Sequence, residues 1–165
     1  IRWAGKQLVQ LALDRDAYPN RLDTEGTWKA LDDFESRTAQ SAANFSRVLT
    51  LAQQAYNSLP EDRRPLFRDN VIVQMNTMRG LSVWLHELCR GFRSYFALEV
   101  EQAAAHAAKA AEALGQVLEF RKQAEWGPFA HWYRGDWRMN LPALWEETSR
   151  LAGSWKERSY LERKH

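Results

Sequence analysis

One cysteine, five prolines and eight glycines are few for a chain of 165 residues. Cys89, being alone, cannot form an internal disulfide, and it falls inside an apolar helical pattern where a small buried thiol is commonplace, so no redox role is expected of it. So few prolines and glycines leave few places to turn, which implies long elements. No stretch approaches about 20 consecutive apolar residues and no basic-then-apolar leader opens the sequence, so neither a membrane span nor a signal peptide is expected in it. Charge of one sign is missing as well. The net charge of +2 comes from 23 Lys and Arg against 21 Asp and Glu, a small excess rather than a basic face, which argues against nucleic acid as a partner.

What is present is helical periodicity at globular composition, with 45% hydrophobic and 27% charged residues. A chain of this size can bury roughly 70% of the surface its unfolded form exposes, so neither a metal nor a disulfide staple is needed. Leu8, Leu11 and Ala12 keep helical spacing until Ala17-Tyr18-Pro19, where proline disfavours helix for the residue before it. A second helix starts after Asp23 or Thr24. It runs through Trp28, Leu31, Phe34, Thr38, Ala42, Phe45, Val48, Leu49, Ala52, Ala55 and Tyr56 to about Leu59.

Pro60 makes the next turn, and Pro65 is tolerable only within the first turn of the helix that follows. That third helix carries Phe67, Val71, Met75, Met78, Leu81, Leu85, Leu88, Cys89, Phe92 and Phe96 on one stripe. Gly80 and Gly91 weaken it by up to about 1 kcal/mol each relative to alanine, and therefore mark close packing or a bend. One unbroken helix onward to Glu125 would be too long for a globular domain, so a tight turn is expected between Phe96 and Glu99. The fourth helix, Glu99 to Glu125, is alanine-rich before Leu114, Val117 and Leu118, which permits close approach of a neighbour. A last helix is capped by Asn140, with Pro142 near its first turn and Leu144, Trp145, Thr148, Leu151, Ala152 and Trp155 on its apolar side. The expected fold is all-α: one domain over 1–165, an antiparallel bundle of four to five helices with an aromatic loop before the last. Because the chain opens Ile1-Arg2-Trp3 within an amphipathic pattern and without methionine, it is expected to be a piece of a longer polypeptide.

Familiar catalytic patterns do not appear. His86-Glu87 begins like a zinc-protease helix, but Arg90 stands where the second histidine would be needed, and His86, His106 and His131 are far apart in sequence. The Glu-x-x-His pairs of a di-iron bundle, the Gly-x-Ser-x-Gly turn of a hydrolase and a phosphate-cradling glycine loop are all absent. No metal and no cofactor is expected.

The segment Trp126 to Asn140, WGPFAHWYRGDWRMN, interrupts the helical pattern and is the candidate site. Trp126, Phe129, Trp132, Tyr133 and Trp137 can fold back over one end of the bundle, with Arg134 and Arg138 pairing with carboxylates or stacking on rings. The same rings, exposed, could stack on sugar rings, with Arg134, Asp136 and Asn140 making polar contacts, or could serve a protein interface, where Trp, Tyr and Arg are enriched. Arg134-Gly135-Asp136 spells an integrin-recognition tripeptide, but glycine here more simply makes a turn. Glu125 and Asp136 flank the segment as the paired carboxylates of a glycosidase would, though spacing in a loop does not establish their separation.

The run Leu59-Pro60-Glu61-Asp62-Arg63-Arg64-Pro65-Leu66-Phe67, then Asn70-Val71-Ile72-Val73 and the helix from Met75 to Phe96, resembles the helical domain behind the catalytic barrel of large glycoside hydrolases of the α-glucuronidase type, family 115. The resemblance covers roughly Asp23 to Glu125, and the sequence departs from that family after Glu125. It implies a non-catalytic accessory bundle, with no catalytic residue of its own, that shapes a cleft or an oligomer contact. The partners implied are the catalytic domain of a parent polypeptide, a carbohydrate or a second copy of the chain. Secretion or a periplasmic location would follow.

Overall fold

In the computed structural model, which describes residues 24–127, 130 and 140–162, the chain is an all-α bundle, and no strand occurs among the described residues. Four long helices occur among the described residues: α1 (Thr24–Ser58), α2 (Val73–Phe96), α3 (Val100–Gln123) and α4 (Leu141–Glu162). The helix expected around Leu8 to Ala17 lies outside the described residues.

α1 has 35 residues and is therefore about 52 Å long. Leu31, Thr38 and Ala52, at multiples of seven, are its buried positions, with Phe45 half-buried between them; this narrow seam faces α2. Its end is closed by Arg64 from beyond the turn. The Arg64 Nε donates to the carbonyl of Leu59 at 3.0 Å, a second guanidinium nitrogen donates to that of Asn57 at 3.3 Å, and the group lies 5.9 Å from the centre of the Tyr56 ring. A cation suits the carbonyl end of a helix.

The path into α2 is helical but not uniform. A 3₁₀ turn at Glu61–Arg63 follows Pro60, Pro65 lies in the first turn of the α-helical segment Arg64–Phe67, and Arg68–Ile72 is wound as π-helix before α2 proper. A π segment adds a residue to the turn and rotates everything upstream of it relative to the helix below. Phe67 and Val71, expected on the buried stripe, are accordingly only half-buried; within α2 Met75 and Met78 are half-buried as well, because the face continuous with Leu81 runs through Thr77 and Val73. From Leu81 onward the expected stripe holds, with Leu81, Leu85, Leu88, Cys89 and Phe92 buried and with Trp84 and Tyr95 added to it.

α2 ends in a tight reversal at Ala97–Glu99. The Glu99 N–H bonds the Ser94 carbonyl at 2.8 Å and the Leu98 N–H bonds that of Tyr95 at 3.2 Å, with Leu98 at φ 66°. This pair of bonds is a Schellman closure with leucine at the position glycine usually takes. α3 then returns antiparallel to α2. Ala103, Ala107, Ala110, Leu114 and Val117 recur at steps of four and three along its buried face, and the small side chains let the two backbones approach closely. A β-carbon at Gly80 would collide with the Val117 Cγ2, so this glycine serves packing rather than a bend.

α4 completes the core through Leu141, Leu144, Thr148, Leu151 and Trp155. The Trp155 ring stacks on Tyr95 at 4.8 Å between centroids and meets Phe92 edge-on at 5.7 Å, so α2 and α4 are joined by an aromatic cluster. Nearby, the Trp84 indole donates to the Thr148 hydroxyl at 3.2 Å, which in turn donates to the Leu144 carbonyl at 2.7 Å. Each buried donor of that chain is satisfied. Trp145, expected inside, is 40% exposed, although its indole lies over Gly115 of α3.

Candidate functional site

The antiparallel order brings the N-terminal end of α2 and the C-terminal end of α3 together, and this is the end from which the aromatic segment departs. α3 unwinds through the Ala124 and Glu125 N–H groups, which bond the carbonyls of Arg121 and Lys122. Trp126 follows, then Gly127 at φ 51°, where a side chain would be strained. Asn140, also at positive φ, starts α4 by accepting the Leu144 N–H at 3.1 Å.

Trp126 is 43% exposed, yet it is not loose. Its indole N–H donates to the Asp69 carboxylate in the π-wound segment, and the other Asp69 oxygen accepts from the Arg68 Nε at 2.8 Å. The Asp69 side chain is only 12% exposed, and Arg68 lies partly over it at 37%. Both oxygens of this carboxylate therefore hold neighbours in place. The result is a partly exposed indole whose ring N–H is anchored to the neighbouring helical segment.

Of the eight candidate residues, Trp126 alone is described; Phe129, Trp132, Tyr133, Arg134, Asp136, Trp137 and Arg138 lie outside the described residues, as does His131. Glu125 is half-buried at the end of α3. Asp69 and Arg68 were not legible as part of the site, because 57 residues separate Asp69 from Trp126 and neither stands in a motif. No sequence signal marks them, since the apolar steps Phe67, Val71, Met75 and Met78 pass through this segment without a break.

The remaining ionisable groups of the described residues tie helices together. Arg93 of α2 reaches both Asp32 and Glu35 of α1, with Nε donating to Glu35 at 3.0 Å. The hydrogen bond that Arg93 donates to Asp32 pushes the guanidinium above its ordinary value; burial opposes this, and Glu35 adds to the rise. His86 places its Nδ1 3.3 Å from the Glu35 carbonyl oxygen, and the Nδ1 of His106 lies 2.7 Å from the Glu87 carboxylate across the α2–α3 contact. The two histidines are thus on different sides of α2. Cys89 has no exposed surface, and burial, with Glu35 adding to it and Arg93 opposing, pushes its thiol up to about 12. Such a thiol is not a nucleophile at neutral pH. No group of three metal-ligating side chains occurs among the described residues, and no described helix is long and apolar enough to cross a membrane.

Comparison with protein-family models, with curated proteins and with solved structures finds no match to this chain.

Proposed function

We propose that this chain is a non-catalytic structural and interdomain helical module, which docks a neighbouring domain of its parent polypeptide through the end of the bundle that carries Trp126. The observation that carries the reading is the indole itself, 43% exposed and held by Asp69. An exposed aromatic ring fixed before contact loses little freedom on binding, which is the property of an interface anchor. The chemistry-bearing side chains of the core support the same reading, since Arg93, His106, Glu87 and Trp84 are engaged in holding α1, α3 and α4 to α2. That the neighbour is a glycoside-hydrolase-like catalytic domain rests on the sequence resemblance over roughly residues 23–125.

The test mixes the chain with the remainder of its parent polypeptide in a calorimetric titration. Binding is expected, weakened at least tenfold by Trp126→Ala, and no binding sinks the proposal. Hydrolysis of aryl glycosides by the isolated chain, abolished by Glu125→Gln, would equally overturn it. A second reading is favoured by the same ring, because an indole face beside a carboxylate suits a sugar ring. In that case oligosaccharides would change the intrinsic fluorescence and Trp126→Ala would remove the response.

A further inference from the structure

The outer flank of α1 changes character along its length. Its first fourteen residues, Thr24 to Arg37, carry six charges, whereas the twenty from Gln40 to Leu59 carry one, Arg47. On that second half the exposed residues Asn44, Val48, Leu51, Ala55 and Ser58 recur at steps of four and three. Val48 is 44% and Leu51 64% exposed. This stripe lies beside, not on, the seam of Leu31, Thr38, Phe45 and Ala52 that faces α2, so α1 carries two heptad-spaced stripes of which the described structure uses one.

We propose that the second stripe is a self-association surface, on which two copies of the chain pair antiparallel through α1, with Val48 of each copy packed against Leu51 of the other. Two properties of the stripe select a second copy. The spacing of Asn44, Val48, Leu51 and Ala55 reads the same in both directions, so one two-fold axis that sets Val48 on Leu51 also sets Asn44 on Ala55, as an isologous contact requires. The middle is nearly neutral, which offers nothing to an acidic or a basic partner but does not repel itself; the two Arg47 side chains stand offset along the axis, each already donating to Asn44 at 2.6 Å.

The area agrees with a reversible dimer. A strip of twenty helical residues is about 30 Å long, and pairing two of them removes on the order of 1,200 Å² from water, the lower edge of the stable interfaces. The proposal is independent of the docking function assigned to the Trp126 end, because that end is not part of the stripe.

Sedimentation equilibrium of the whole chain, from low to high micromolar concentration, tests it. A monomer–dimer equilibrium is expected, and Leu51→Glu should be monomeric throughout with unchanged circular dichroism, since the side chain is exposed. Orientation is read by mixing an Asn44→Cys chain with an Ala55→Cys chain under mild oxidation. A disulfide-linked dimer is expected from the mixture and not from either variant alone, and buried Cys89 does not compete. The proposal is overturned by a dimer that Leu51→Glu leaves intact, or by a mixture that fails to cross-link. A chain monomeric at every concentration overturns it too, whether a Leu51→Cys thiol resists labelling because another segment of the chain covers it, or labels freely because a different protein is the partner.

Discussion

Gly80 of α2 faces Val117 of α3 at a distance that leaves no room for a β-carbon. Gly153, in the middle of α4, has nothing within 4 Å of the place its β-carbon would occupy. The same substitution should therefore have opposite signs at the two positions. Gly153→Ala is expected to raise stability by about 1 kcal/mol through helix propensity alone. Gly80→Ala gains the same propensity but forces Val117 aside, and a net loss of about 1–2 kcal/mol follows. Urea unfolding checks both, and Val117→Ala in the Gly80→Ala background should recover part of the loss.

Cys89 supplies a pH signature. Its thiol keeps its proton up to about 12 in the folded chain, whereas in the unfolded chain it ionises near its ordinary value of 9. Above pH 9 the unfolded state binds fewer protons than the native one, so stability falls as pH rises through this window. Relative to Cys89→Ala, which lacks the titration, the wild-type chain should lose about 1 kcal/mol between pH 9 and pH 10. An unchanged difference between the two denaturation curves would refute the burial. Below pH 9 the native thiol should also stay unlabelled by maleimide until the chain is unfolded.

Leu98 closes α2 from the left-handed region and is 69% exposed, so it gives up little burial in return for its strain. Leu98→Gly should relieve a backbone cost of about 1–2 kcal/mol while loosening the unfolded chain, for a net gain of about 0.5 kcal/mol in thermal or urea unfolding. A loss would mean that the Leu98 side chain has a packing role.

The bond between Trp126 and Asp69 should be separable from the fold. Trp126→Phe keeps a ring and removes the donor; Asp69→Ala removes the acceptor and frees Arg68 as well. Each is expected to cost about 1 kcal/mol or less, the double variant costing less than the two added together. Additive losses in a double-mutant cycle would mean that the two side chains do not interact.

The helices were legible residue by residue wherever a stripe repeated without interruption. Leu141 to Trp155, the alanines of α3 and the turn at Ala97–Glu99 all follow from local spacing, because a 3.6-residue period and an exposed reversal are properties of a short window. The stripe of α2 was readable only from Leu81 onward: Met75 and Met78 are apolar but stand off the face that Val73 and Thr77 continue, and farther upstream the π turn at Arg68–Ile72 changes the phase, which no single residue type announces.

The site was legible in one partner and not in the other. Trp126 stands out in composition, but Asp69 is an ordinary surface-type residue until the chain reverses twice and sets it beneath the indole. The same holds for Arg93 with Asp32 and Glu35, and for His106 with Glu87, pairs that no local spacing connects.

The amino-acid sequence by itself determined that this protein is built of long helices, because periodic burial and scarce glycine and proline act within each helix separately. Only the tertiary structure decided which faces meet. The fit of Gly80 to Val117, the clamp on Trp126 and the second stripe left open on α1 depend on how far each helix is rotated about its axis, and that rotation is set by its neighbours.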